Sequence, residues 1–170
     1  LSKFYKKWKI LYPKKTKKES KMKKVKDYMQ KEIPVVNKFT TMKEILDIFS
    51  KTYFNIIPVV DENEILCGIV CIEEILENLV LPKREVELLE KFSFFADAFS
   101  EILMTFECIT PLLIAEDIMN KEVIKIDENS SIMKALILMR KYKVNRLVVV
   151  DEKNKPVGFI TRNDIIRAIC

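Results

Sequence analysis

Shifted by 90 positions, this sequence falls on itself without a gap. VKDYMQKEIPVV (25–36) lands on AEDIMNKEVIKI (115–126), and NIIPVVDENEILCGIV (55–70) lands on NRLVVVDEKNKPVGFI (145–160). Asp27/Asp117, Met29/Met119, Asn55/Asn145, Asp61/Asp151 and Gly68/Gly158 are identical pairs. Self-similarity at a fixed offset marks a repeated supersecondary unit. Two copies in 170 residues make a paired module rather than a solenoid.

Both copies carry the same local signals. A short extended segment (33–36; 123–126) leads to Thr41 or Ser131, each placed to cap a helix. Thr41 with Glu44 three residues on forms a capping box. Met42, Ile45, Leu46 and Phe49 then share one face of the first helix, as Ile132, Ala135, Leu136 and Met139 do in the second. A β-branched run (55–60; 145–150), an Asp-Glu turn and a second strand (65–71; 157–161) read as a hairpin. A short helix (73–80; 163–169) ends each copy. The predicted order is strand, helix, strand, strand, helix, an α+β arrangement of three strands and two helices per copy.

The charge is unevenly spread. The net charge is +5, yet residues 1–26 hold twelve lysines and one glutamate, so that stretch carries +11 and the remainder −6. A mildly acidic body with a basic arm lacks the Lys/Arg stripe of a nucleic-acid-binding domain, so no nucleic-acid partner is expected of it. Before Pro13, Leu1, Phe4, Tyr5, Trp8, Leu11 and Tyr12 fall at helical spacing among lysines. Such a basic amphipathic helix suits an anionic membrane surface, a partner, or its own domain. The stretch KKTKKESKMKK reads as solvated linker. The chain starts at Leu, which leaves room for an upstream portion. Between the copies, residues 80–114 hold Phe92, Phe94, Phe95, Phe99 and Phe106. Helical spacing there predicts one or two amphipathic helices, packed on the body or against a second subunit. The expected division is therefore 1–24 arm and linker, 25–79 first copy, 80–114 insert, and 115–170 second copy.

Several chemistries are excluded. The chain has two glycines, so it holds no P-loop and no G-x-G-x-x-G. It has no histidine, the commonest general base and a frequent zinc ligand. Its serines lack a G-x-S-x-G setting. Cys67, Cys71, Cys108 and Cys170 show no C-x-x-C spacing, and reduced cysteines fit a cytoplasmic setting. No apolar run reaches the roughly 18 residues of a membrane span. The expectation is a non-enzyme without a metal.

The two glycines open related nonamers: GIVCIEEIL (68–76) and GFITRNDII (158–166). In the second, Thr161 stands at a strand-to-helix junction with Asp164 three residues on. One reading is structural: Thr161 caps the helix and Asp164 favours its positive end. The other is a ligand site. A helix amino terminus attracts phosphate, Thr161 adds a hydroxyl, and an ionised Asp164 accepts from the paired hydroxyls of a ribose. Arg162 and Asn163 lie between them, with Arg162 in reach of a phosphate oxygen. Val123, Ile124 and Ile126 offer an apolar wall for a flat base. In the first nonamer Cys71 and Glu74 replace Thr and Asp, which predicts a degenerate first site.

DYM and DIM at the start of each copy, PVVDE (58–62) and VVVDE (148–152), and above all GFITRND (158–164) make the chain resemble a tandem pair of cystathionine β-synthase (CBS) domains, a Bateman module. The resemblance covers 25–79 and 115–169. It implies two α+β repeats packed through their sheets as a pseudo-twofold pair. It also implies a regulatory role, with an adenosine-type ligand in the clefts: AMP, ADP, ATP or S-adenosylmethionine, and NAD or cyclic di-AMP in some branches. No cofactor is required. By the same resemblance, Asp164 holds the ribose, Thr161 sits by ribose or phosphate, and Val123 and Ile124 border the base. A homodimer and a regulated enzyme, channel or transporter are the implied partners. A ligand-free interaction module is the competing reading.

Overall fold

The computed structural model describes residues 23–80, 104 and 108–170. The aromatic arm and the five phenylalanines of the insert lie outside these residues. A 3-10 turn, Val25–Asp27, precedes β1 (Val36–Asn37), helix α1 (Met42–Lys51), β2 (Ile56–Val60), β3 (Leu66–Cys71) and α2 (Ile72–Ile75). The second repeat starts with α3 (Ala115–Ile118) and continues through β4 (Lys125–Asp127), α4 (Ile132–Tyr142), β5 (Arg146–Val150), β6 (Pro156–Thr161) and α5 (Arg162–Ile169). Each repeat is a three-stranded sheet, β1-β2-β3 or β4-β5-β6, with the first pair parallel and the second antiparallel.

The local signals act as their chemistry requires. Thr41 and Glu44 close a reciprocal capping box on α1, and Ser131 accepts from Lys134 N on α4. The apolar faces of both helices turn inward: Met42, Ile45 and Phe49 are buried, as are Ile132, Ala135 and Met139. Both hairpins turn on an Asx loop. Asp61 Oδ1 accepts from Asn63 and Ile65, and Asp151 Oδ1 accepts from Lys153 and Lys155. The equivalent residues Glu64 and Asn154 adopt positive φ there, which Asn tolerates better than Glu.

The leading segments of the repeats are exchanged. Val25 is fully buried in the second repeat's core, among Ile126, Leu147 and Ile160. Its amide donates to Ser130 O at 2.9 Å. Gln30 then pairs with Phe159 through both backbone groups, at 2.8 and 2.9 Å. Reciprocally, Ala115 is fully buried in the first repeat's core, and Asn120 pairs with Ile69 at 2.8 and 3.0 Å. Each leader thus completes the other repeat.

A third cluster joins the sheets face to face. Leu66, Val148, Val150 and Phe159 form its buried centre, with Ile33, Phe54, Ile56, Ile69 and Val123 against them. The ring centroids of Phe54 and Phe159 are 6.0 Å apart. At the hairpin end Leu66 N donates to Asn154 O at 3.0 Å, and Lys155 bonds Glu64 at 2.5 Å. Both strand-to-helix junctions therefore lie at the opposite end of the paired sheets.

Candidate functional site

The second junction is a closed cap. Strand β6 delivers Thr161 in extended geometry, and α5 starts at the next residue. Thr161 Oγ1 accepts from Asp164 N at 3.3 Å and donates to Asp164 Oδ2 at 2.8 Å. Thr161 N donates to the same Oδ2 at 2.8 Å. The other oxygen, Oδ1, is paired with the Arg167 guanidinium. Asp164 is only 4% exposed, whereas the Arg167 side chain is 71% exposed. Asp164 is thus a buried carboxylate whose second oxygen is covered by a group free to swing into water.

The first repeat's leader reaches strand β6 close to this cap. Gln30, on the crossing leader, pairs with Phe159 two residues before Thr161. Three residues further, Ile33 packs against the inter-sheet cluster that holds Phe159, as Phe54 does. The apolar wall expected from Val123, Ile124 and Ile126 is divided in the structure between the second repeat's core and the inter-sheet cluster. Ile126 is 3% exposed and packs in the second repeat's core. Ile124 packs partly against the same core. Val123 lies in the inter-sheet cluster, three residues after Asn120, whose amide donates to Glu74 Oε1 at 3.2 Å. Three residues span at most about 11 Å, which keeps Val123 near the first junction. Arg162 is exposed and donates to Val144 O at 3.2 Å, and Asn163 is exposed.

The first junction is built differently. Cys71 occupies the N-cap without a side-chain capping bond, and Glu74 binds Asn120 instead of closing a box. The helix is correspondingly short: α2 holds four residues and widens into a π-turn over Leu76–Val80. The Cys71 thiol donates to Glu73 Oε2 at 2.9 Å. Burial, then this bond and the adjacent Glu73 charge, push the thiol up to about 12. Glu73 also accepts from Asn55 Nδ2 at 2.7 Å. Its carboxyl lies below the ordinary range: burial opposes the shift, but the bonds from Cys71, its own backbone and Asn55, with the Arg146 charge, outweigh it. The Asn55 Oδ1 atom is buried with no donor among the described residues.

The sequence reading missed Arg167, whose place one helical turn after Asp164 was the signal for it. The positions of Ile33, Phe54 and Asn120 were not legible, because the crossing of the leaders and the face-to-face packing of the two sheets set them. Among the described residues no group of His, Cys, Asp and Glu could hold a metal, and no helix is long and apolar enough to cross a membrane.

Comparison with known proteins agrees with this architecture. The CBS domain model matches residues 25–81 and 115–170. The Methanocaldococcus jannaschii protein MJ1232 is 32% identical over 146 residues, covering 86% of this chain. The chain spans only 39% of that relative's length. The crystal structure of CBSX2, a CBS-pair protein of Arabidopsis thaliana, superposes with a TM-score of 0.65 at 23% identity, covering 87% of this chain and 94% of CBSX2. CBSX2 has also been solved in complex with AMP. The CBS domain pair of MJ0100, in complex with 5-methylthioadenosine and S-adenosyl-L-methionine, superposes with a TM-score of 0.62 at 24% identity, covering 87% and 96% of the two chains. With two family matches, two exchanged repeats and a shared fold, the chain belongs to the CBS domain family as a tandem pair.

Proposed function

We propose that this chain is a regulatory module that senses an adenosine-type nucleotide, with one competent site at Thr161 and Asp164. The observation that carries the reading is the contrast between the junctions. One holds a buried carboxylate whose outer oxygen is covered only by a swinging arginine. The other has lost both the hydroxyl and the capping carboxylate. In this reading Arg167 turns into solvent, Asp164 Oδ1 accepts the ribose hydroxyls, and the start of α5 faces phosphate. Ile33 and Phe54 of the first repeat wall the base, in place of Ile126. Arg162 and Asn163 are exposed beside the cap and reach the phosphate. Residues 25–79 and 115–170 act as the two repeats, the insert 80–114 joins them, and 1–24 form the arm. The ligands known for MJ0100 and CBSX2 support the class of ligand.

The test is a thermal-shift panel of AMP, ADP, ATP and S-adenosylmethionine. At 100 times Kd a bound nucleotide adds about 2.7 kcal/mol, or about 5–10 °C at this size. Asp164→Ala abolishes the shift. A flat response across the panel would sink the sensing role and favour a ligand-free interaction module, a homodimer or the attachment point of a regulated protein. The closed Thr161–Asp164–Arg167 cap is the observation that favours this second reading.

A further inference from the structure

A groove of about 440 Å³ lies at the hairpin end of the paired sheets, away from both strand-to-helix junctions. Val35 and Val60 of the first repeat and Pro156 and Val157 of the second give it aliphatic walls. Glu64, Asp151 and Lys155 stand in the same lining. The nucleotide reading uses none of these residues.

The internal repeat shows what such a groove can hold. At the offset of 90, Val35 corresponds to Lys125 and Glu64 to Asn154. In the second repeat the Lys125 side chain crosses from the edge strand β4 to the hairpin tip, where its ammonium donates to Asn154 Oδ1. A primary alkylammonium thus spans this part of the second repeat. In the first repeat Val35 lacks the Cδ, Cε and Nζ atoms of a lysine. The corresponding path is left as the groove, and Val35 is 39% exposed. The group at its far end also differs, because a neutral amide is replaced by the carboxylate of Glu64, a stronger acceptor for an ammonium.

The charge balance favours a cation there. The turns 61–65 and 151–155 hold Asp61, Glu62, Glu64, Asp151 and Glu152 against Lys153 and Lys155. The bond to Glu64, then the charges of Glu64, Asp151 and Asp61, hold the Lys155 ammonium above the ordinary lysine range, against the opposing effect of burial. Three carboxylates therefore act on one cation, and negative charge is left over. Asp151 Oδ1 accepts from the Lys153 and Lys155 amides, so Oδ2 can take a further donor.

We propose that this groove binds an aliphatic diamine. The methylene chain lies on the valines and Pro156, along the path that Lys125 takes in the other repeat. One ammonium reaches Glu64 and the other Asp151, and together they offset the surplus negative charge. The inference is independent of nucleotide binding.

Titration calorimetry of the full chain with putrescine tests it. Butanediol supplies the chain without the charge and magnesium the charge without the chain, and both are expected to bind far more weakly. Putrescine affinity should fall between about 0.05 and 0.5 M salt. Val35→Lys places in the groove the side chain that the equivalent position already carries, so it abolishes binding while melting stays at or above that of the parent. Val35→Ala keeps the groove open and retains binding. Glu64→Gln lowers affinity about tenfold, the worth of a hydrogen bond to a charged group. No saturable binding of putrescine, equal affinity for magnesium, or undiminished binding by Val35→Lys or Glu64→Gln overturns the proposal. So does tighter binding of an acetylated lysine methylamide than of putrescine, because the groove would then belong to a lysine of a protein partner.

Discussion

Gly158 lies directly beneath the carbonyl of Gln30. A Cβ at Gly158 would fall inside van der Waals contact with that oxygen, which belongs to the crossing leader's backbone. At the equivalent Gly68 a Cβ would meet Met119 Sδ at 2.5 Å, the end of a flexible side chain. Neither glycine has positive φ, so close approach, not backbone freedom, selects it. The exchange of leaders explains why the two glycines of the chain stand 90 residues apart.

The two sites should therefore respond unequally. Gly158→Ala must move a backbone held by paired hydrogen bonds and is expected to lose about 3 kcal/mol, the upper part of the overpacking range. Gly68→Ala needs a new Met119 rotamer and a slight shift of the Met119 Cβ, which would lie at 3.1 Å, and should lose about 1 kcal/mol. At about 2–4 °C per kcal/mol, melting curves separate the two variants. Equal losses would mean that the leader carbonyl yields as readily as a side chain.

Much of the repeat was legible because it depends on local rules. Thr41 and Glu44, Ser131, and the Asp61 and Asp151 turns are fixed by neighbours within four residues. The apolar faces of α1 and α4 follow from spacing alone. The site was legible only where it is local: Thr161 and Asp164 form the cap that T-x-x-D predicts. The crossing of the leaders was not legible, since nothing in the sequence says that Val25 is buried among Ile126 and Leu147 rather than in its own repeat. The apolar character of Ile126 is plain in the sequence, but whether a ligand or a core covers it is a tertiary fact.

The Arg167–Asp164 pair makes nucleotide affinity testable at a residue that the ligand need not touch. If the guanidinium must leave before a ribose is accepted, Arg167→Met removes a competitor. Affinity for the nucleotide should rise about fivefold, while stability falls by about 1 kcal/mol with the lost pair. Titration calorimetry on parent and variant decides the matter. Weaker binding in the variant would show that Arg167 holds the ligand rather than shielding the carboxylate.

The missing cap of α2 can be restored by one substitution. Cys71→Thr recreates the T-x-x-E box with Glu74, as Thr41 and Glu44 do on α1. A gain of about 1 kcal/mol is expected. Thermal or urea melts measure it. A loss would indicate that the thiol's bond to Glu73, or Glu74's bond to Asn120, outweighs the cap.

Cys71 also sets a pH dependence whose sign follows from its shift. Its thiol is raised from 9.0 to about 12 in the folded chain, first by burial and then by the bond to Glu73 and that carboxylate's charge. The unfolded chain therefore releases this proton first. The contribution to stability is fully present below about pH 9 and is lost progressively as pH rises towards 12. The fall in melting temperature between pH 8.5 and 10.5 should be smaller in Cys71→Ala than in the parent, with lysine and tyrosine titration common to both. The same shift leaves little thiolate at pH 8, so Cys71 should alkylate far more slowly than an ordinary thiol. Fast modification of Cys71 in the folded chain would show that the Glu73 bond is open in solution and that the first junction is more accessible than its geometry indicates.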